Sequence, residues 1–162
     1  MPSYPYPRPS LTVDVVLFRR GEQGEEVLLI RRAHPPFAGR WALPGGFVDE
    51  MEPLEKAARR ELREETGITL PSGVLRQVGA FGEPGRDPRG WTVSVAFWAA
   101  VPRTTAPRAG DDAAEARWWP CAALPPLAFD HRQIIARACE LWRRARGVQE
   151  ETNNDEQPTF AA

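Results

Sequence analysis

Only two cysteines, Cys121 and Cys139, occur in 162 residues. They are too few and too far apart for a disulfide framework or the paired ligands of a zinc site, and both are read as reduced thiols filling small buried positions. The proline-rich start MPSYPYPRPS has no apolar core, and nowhere do 18 apolar residues run together. Neither a secretory leader nor a membrane span is therefore expected, which leaves the cytoplasm as the default location and excludes a membrane partner. Net charge is almost absent as well, since 21 Lys and Arg face 22 Asp and Glu for a total of -1. Such a chain has no global attraction to nucleic acid or anionic lipid; no nucleic-acid partner is expected, and any polyanion must be held by a local arrangement. No internal repeat is visible.

What is present is ordinary globular material, 42% apolar and 27% charged, sufficient for one domain with a sizeable core. The domain is expected over residues 10–149, between a flexible proline-rich N-terminus, 1–9, and a flexible polar tail, 150–162. Leu11 to Phe18 and Val27 to Ile30 predict a β-hairpin with a rather long GEQGEE loop. Trp41 to Leu43 and Phe47 to Val48 are short extended pieces around Pro44-Gly45-Gly46. A helix starts at Glu52-Pro53 and stops at Gly67, with Leu54, Ala57, Ala58 and Leu62 as its apolar stripe. Strands over Val74 to Phe81 and Thr92 to Val101 flank the loop GEPGRDPRG, and a short strand covers Arg117 to Trp119. A second long helix begins near Asp130, with Ile134, Ile135, Ala138, Leu141, Trp142 and Ala145 on one side. This order predicts an α/β fold of sandwich type, a mixed sheet with helices on its faces.

Charge, though balanced overall, is unevenly placed. Seven carboxylates fall within the 24 residues from Gly45 to Ile68: Asp49, Glu50, Glu52, Glu55, Glu61, Glu64 and Glu65. Glu61 lies three positions before Glu64 and four before Glu65, so all three share one helical surface. Such like charges repel by about a few tenths of a kcal/mol per pair, unless a hard divalent cation sits among the oxygens. The plain alternative is a solvated face neutralised by Arg59, Arg60 and Arg63.

The surrounding spacing decides between them. It runs Gly46, five residues, Glu52, seven residues, Arg60-Glu61-Leu62, one residue, Glu64-Glu65, one residue, Gly67-Ile68. Over these 23 residues the chain resembles the Nudix box at all nine specified places. The resemblance implies a Nudix-type α/β/α sandwich, with Glu61, Glu64 and Glu65 as catalytic ligands of a divalent cation and the Gly45 carbonyl as a further ligand. Carboxylate ligation suits Mg²⁺, and Mn²⁺ equally well. Gly46, Glu52 and Arg60 take supporting parts, the latter two as an ion pair bracing the loop against the helix. The implied reaction is attack of water on phosphorus in a nucleoside diphosphate derivative, with cations stabilising the developing charge and acidifying the water. Family members often draw a further base or ligand from outside the box. GDDAAEARWW offers Asp111, Asp112 and Glu115; Glu115, just before the Arg117 to Trp119 strand, is favoured, with an ordinary surface acid as the alternative.

The substrate is read from Gly82 to Gly90, GEPGRDPRG, where Arg86 and Arg89 can fork onto a diphosphate. The alternative is a turn-rich loop in which Arg86 and Asp87 merely pair. Pro84 stands 16 residues after Ile68, where a proline is associated with the ADP-ribose pyrophosphatases of this family, and LAFDHRQII, Leu127 to Ile135, also looks like microbial ADP-ribose hydrolases. An adenine needs an apolar wall, for which Trp41, Phe37, Phe81, Trp91 and Trp98 are candidates, Trp41 foremost. His34 and His131 read as a loop residue and a first-turn helix residue rather than catalysts. The expected function is Mg²⁺-dependent hydrolysis of ADP-ribose to AMP and ribose 5-phosphate. The alternatives are a dinucleoside polyphosphate, nucleotide sugar or oxidised nucleoside triphosphate as substrate, or a module that senses ADP-ribose without cleaving it. The full set of ligand positions, and only about a dozen residues after the final helix, argue against the sensor. The resemblance also raises a homodimer as the assembly state.

Overall fold

The computed structural model describes residues 1–155 except Gln23 and Asp111, with side chains described as far as Gly147. Residues 1–9 carry no regular structure. The first strand, β1 (Ser10–Gly21), runs through the middle of the domain, and β2 (Gly24–Arg32) returns beside it. Two short strands follow, β3 (Trp41–Ala42) on the outer edge of β2 and β4 (Gly45–Phe47) against β1. After helix α1 (Leu54–Thr66), β5 (Arg76–Phe81) pairs with β6 (Thr92–Ala100), β7 (Ala113–Pro120) pairs with β2, and helix α2 (His131–Asp155) closes the chain. The seven-stranded sheet is mixed: β1 and β6 are parallel, and every other pairing is antiparallel.

Side-chain alternation turns this sheet into a sandwich. Val13, Val15 and Leu17 of β1 join Leu28, Phe97 and the α1 residues Ala57, Ala58 and Leu62 on one face. Val16 and Phe18 join Val27, Leu29, Trp98 and the α2 residues Ile134, Ile135, Ala138 and Trp142 on the other. A central strand covered on both sides must be apolar at nearly every position, which is why LTVDVVLF reads as a run rather than an alternation. Asp14 is the one charged residue within that run, and it is buried on the α2 face.

Some boundaries differ from the sequence reading. The first hairpin is tighter than the long loop expected, because Arg19 pairs with Glu26, Arg20 with Glu25 and Gly21 with Gly24. Its polar residues belong to the ladder: Arg19 Nε donates to Glu26 Oε1 at 2.7 Å. The strand around Arg117 to Trp119 begins earlier, at Ala113, because β2 offers it a partner along that length. Helix α2 continues to Asp155, past the expected boundary at residue 149, since no proline interrupts it and glutamate favours helix. The rest of the expected tail, 156–162, lies outside the described residues. Among those described, no helix is long and apolar enough to cross a membrane.

Candidate active site

Helix α1 carries the glutamates, and its packing fixes where they point. It begins after Pro53 and ends at Gly67, whose φ of 71° gives a left-handed cap with its N–H on the Arg63 carbonyl at 2.8 Å. With Ala57, Ala58 and Leu62 wholly buried against the sheet, Glu61 and Glu65 are turned toward the Gly45-Gly46 turn. Approach there is close. A Cβ on Gly46 would lie 2.6 Å from the Glu61 carboxyl carbon, so any side chain there would push that carboxylate from its place. The Gly45 N–H donates to Glu65 Oε2 at 3.3 Å.

Arg60 ties loop and helix together. Its Nε and Nη2 donate to the two oxygens of Glu52 at 2.8 and 2.9 Å, and Nη2 also donates to the Phe47 carbonyl at 3.2 Å. Glu52, held by these bonds, is pulled down to a pKa of about 2. From the other side of the guanidinium, Nη1 donates to Glu61 Oε1 at 2.8 Å and to Glu64 Oε2 at 3.2 Å.

Among the described residues no three acidic, histidine or cysteine side chains stand together as a ready metal site, but the acids on α1 are crowded in a way that a divalent cation would relieve. Glu65 is buried beside Glu61 and Asp14, and burial first, then the Glu61 charge, push its pKa up to about 8. Burial likewise raises Glu61. Carboxylates crowded this way lack positive charge, and Arg60 supplies only part of it while occupying the space between Glu61 and Glu64. A hard cation on Glu61, Glu64 and Glu65 would relieve the repulsion, as oxygen ligands require.

Glu61 and Glu65, but not Glu64, line a cavity of about 500 Å³ that also takes in Thr12, Asp14, Arg32, Phe47, Asp87, Arg89, Asp112, Phe129 and His131. Two guanidiniums line the same cavity. Arg32, at the end of β2, donates to the Pro36 carbonyl at 2.7 Å and lies 5.0 Å from the Phe129 ring. Arg89 lies 5.7 Å from Phe129 and 5.0 Å from Phe47, and its fork is held by Asp87 at 2.8 to 3.3 Å. Arg86, which also lines the cavity, is almost fully buried and bound by Asp130 at 2.6 and 2.9 Å. Its partner is thus Asp130, and the pairing with Asp87 belongs to Arg89.

Three sequence candidates lie elsewhere. Glu115 is opposite Arg31 in the β2–β7 ladder, whereas its neighbour Ala116 is opposite the cavity residue Ile30, so strand alternation turns Glu115 away. Trp41 stacks edge-on against Trp119 at 5.1 Å and packs on the α2 core. Pro84 borders a separate hollow with Pro88 and Trp91. Of the acids considered beside Glu115, Asp112 lines the cavity, 3.6 Å from His34, and Asp111 lies outside the described residues.

Of the charged cavity residues, Asp14 and Arg32 were not singled out in the sequence, and Asp87 was read only as a partner for Arg86. Asp14 had a signal, a lone carboxylate within an apolar strand. The aromatic side chains of the cavity are Phe47 and Phe129, neither among the five aromatics considered for the base, although Phe129 lies within the stretch LAFDHRQII. His131 does open α2 as expected, but it is also buried at the cavity floor, and burial lowers its pKa so that the ring is neutral.

A NUDIX domain model matches residues 8–138. The chain is 43% identical over 130 residues to an ADP-ribose pyrophosphatase of Methanocaldococcus jannaschii, covering 80% of this chain and 73% of that protein. It is 37% identical over 137 residues to the ADPR-responsive transcriptional repressor NtrR of Acinetobacter baylyi, covering 82% of this chain but only 54% of the repressor. Among solved structures, the NUDIX domain of Shewanella oneidensis NrtR in complex with ADP ribose superposes with a TM-score of 0.78 at 39% identity, covering 85% of this chain and 90% of that one.

Proposed function

The chain belongs to the Nudix family, and from that premise we propose that it is a Mg²⁺-dependent pyrophosphohydrolase that splits ADP-ribose into AMP and ribose 5-phosphate. The observation that carries this reading is that one cavity is lined both by Glu61 and Glu65 of α1 and by Arg32 and Arg89, whose guanidiniums lie beside Phe129. Water adds its oxygen to one phosphorus of the diphosphate, the bridging P–O bond breaks, and the departing phosphate takes the proton. Glu61, Glu64, Glu65 and the Gly45 carbonyl would hold the cation, which would supply charge neutralisation and an acidified water. Arg32 and Arg89 grip the diphosphate oxygens, a task suited to planar forks that never lose their charge. Phe129 and Phe47 offer the apolar faces on which a nucleobase or ribose can rest. The 43% identical pyrophosphatase supports the choice of ADP-ribose.

The test is AMP release from ADP-ribose with and without Mg²⁺, beside a dinucleoside polyphosphate, a nucleotide sugar and an oxidised nucleoside triphosphate. Selective, metal-dependent release is expected; faster cleavage of another panel member would overturn the substrate and keep the chemistry. Replacing Glu64 by Gln should lower turnover on the order of a hundredfold with the melting temperature of the metal-free protein preserved. The relatedness to a repressor and to an ADP-ribose-bound NUDIX domain favours a second reading, a sensor. A sensor would bind ADP-ribose and leave it intact. A homodimer, supported by the exposure of Tyr6 and Trp91, is part of the same proposal, and sedimentation checks it.

A further inference from the structure

Beneath the glutamates lies a second polar assembly, built from three side chains that the hydrolytic chemistry does not itself require. Asp14, Ser94 and His131 are 6%, 0% and 3% exposed, and they come from β1, β6 and the first turn of α2. The Ser94 hydroxyl bonds to Asp14 Oδ2, and His131 Nε2 lies 3.4 Å from Asp14 Oδ1. On the other side of the ring, Nδ1 accepts the Leu43 backbone N–H at 3.0 Å. An accepting Nδ1 places the ring proton on Nε2, facing Asp14.

Leu43 leads into the turn that meets the glutamates. Three successive residues there are each anchored once. The Leu43 N–H is held by His131, the Pro44 carbonyl accepts the Val15 N–H at 2.8 Å, and Gly45 sits opposite Asp14 in the β1–β4 pairing. Gly45 then offers its N–H to Glu65. The anchors at 44 and 45 use the backbone of β1, or pair with it, and would exist with almost any side chains. Apart from the Gly45–Glu65 bond itself, only the anchor at 43 depends on a side chain, brought from the start of the last helix. Its loss would leave a buried amide without an acceptor, and the turn could recover it only by moving.

We propose that His131 is a positioning residue for the cation site, holding the Leu43 amide through Nδ1 so that Gly45 stays at the place where its N–H meets Glu65. The proposal rests on the reading that Glu61, Glu64 and Glu65 hold the cation, and its test separates the two.

The experiment measures Mn²⁺ binding, by the spectroscopic signal of free Mn²⁺, to the wild-type protein and to Glu64→Gln, His131→Gln and His131→Asn, with melting curves alongside. Asn can present an acceptor where Nδ1 stood; Gln can reach Asp14 as Nε2 does but has nothing at the δ position. His131→Gln should bind Mn²⁺ about 10- to 100-fold more weakly, the range found when a group supporting metal ligands is lost, and His131→Asn should restore most of that affinity. A purely structural histidine would instead lower both melting temperatures and leave the affinity of the folded protein alone. Equal losses in Asn and Gln, or wild-type affinity in Gln, would overturn the proposal. Unchanged binding in Glu64→Gln would remove its premise and the proposal with it. Should the Gln variant not fold, the wild type still decides. In nitrogen-15 spectra the Leu43 and Gly45 amides should shift together as Mg²⁺ is added, and a Gly45 shift with Leu43 unmoved would overturn the idea.

Discussion

Gly45 and Gly46 stand side by side yet exclude a side chain for different reasons. A Cβ on Gly45 would sit 2.2 Å from the Val13 carbonyl oxygen, part of a buried strand that has nowhere to go. Gly45→Ala should therefore cost about 1–3 kcal/mol of stability in urea unfolding, the range for overpacking. On Gly46 the same atom meets the end of the Glu61 side chain, which can swing, so Gly46→Ala should unfold at nearly the wild-type urea concentration yet need more Mg²⁺ for activity. Glu65 adds a pH signature. Its folded pKa of about 8 stands above the ordinary 4.5, so the folded state holds a proton that the unfolded chain has released. The stability this gives is complete below about pH 4.5 and is lost as pH rises through about 8. Melted without divalent metal, the protein should lose stability over that interval, and Glu65→Gln should flatten the slope.

At the scale of elements, α1 is the part most directly readable from sequence. Its proline start, glycine stop and stripe of Leu54, Ala57, Ala58 and Leu62 are all local signals, and the helix runs from Leu54 to Thr66 as they require. Leu62, wholly buried beneath the glutamates, anchors the register; Leu62→Ala should cost about 2–5 kcal/mol and weaken activity together with stability. The loop before α1 depends on Glu52 instead. Its carboxylate receives Arg60 on two sides and the Asp49 N–H at 3.1 Å. In Glu52→Ala the released Arg60 would lean further onto Glu61 and Glu64 and compete with the cation, so half-maximal activity should require about tenfold more Mg²⁺.

For the molecule as a whole, the sheet is a partition between two cores, and the cavity opens where β1, β2, α1 and the start of α2 converge. A cation bound there engages groups that the unfolded chain does not gather, so it should stabilise the entire fold. At a hundred times its Kd, Mg²⁺ should add about 2.7 kcal/mol, read as a rise in melting temperature that Glu64→Gln abolishes. The expected reversal with pH follows from the same linkage: Mg²⁺ should help most above about pH 8, where Glu65 is ionised without help.

The sequence by itself determined the elements and one half of the candidate site. Periodicity, caps and turn residues are properties of neighbours in the chain, and the glutamates share a helix face because three and four residues make one turn. What only the tertiary structure decided is the other half. Arg32 ends a strand, Phe129 and His131 belong to the approach to the last helix, and Asp14 interrupts an apolar run; no spacing connects them. They meet because the two-sided sheet sets the end of β2 and the start of α2 across from α1. The same packing turned Glu115 outward by strand alternation and committed Trp41 to a contact with Trp119. Local patterns carry local geometry, whereas the direction of a side chain in a sheet depends on pairing register, and register depends on partners distant in sequence.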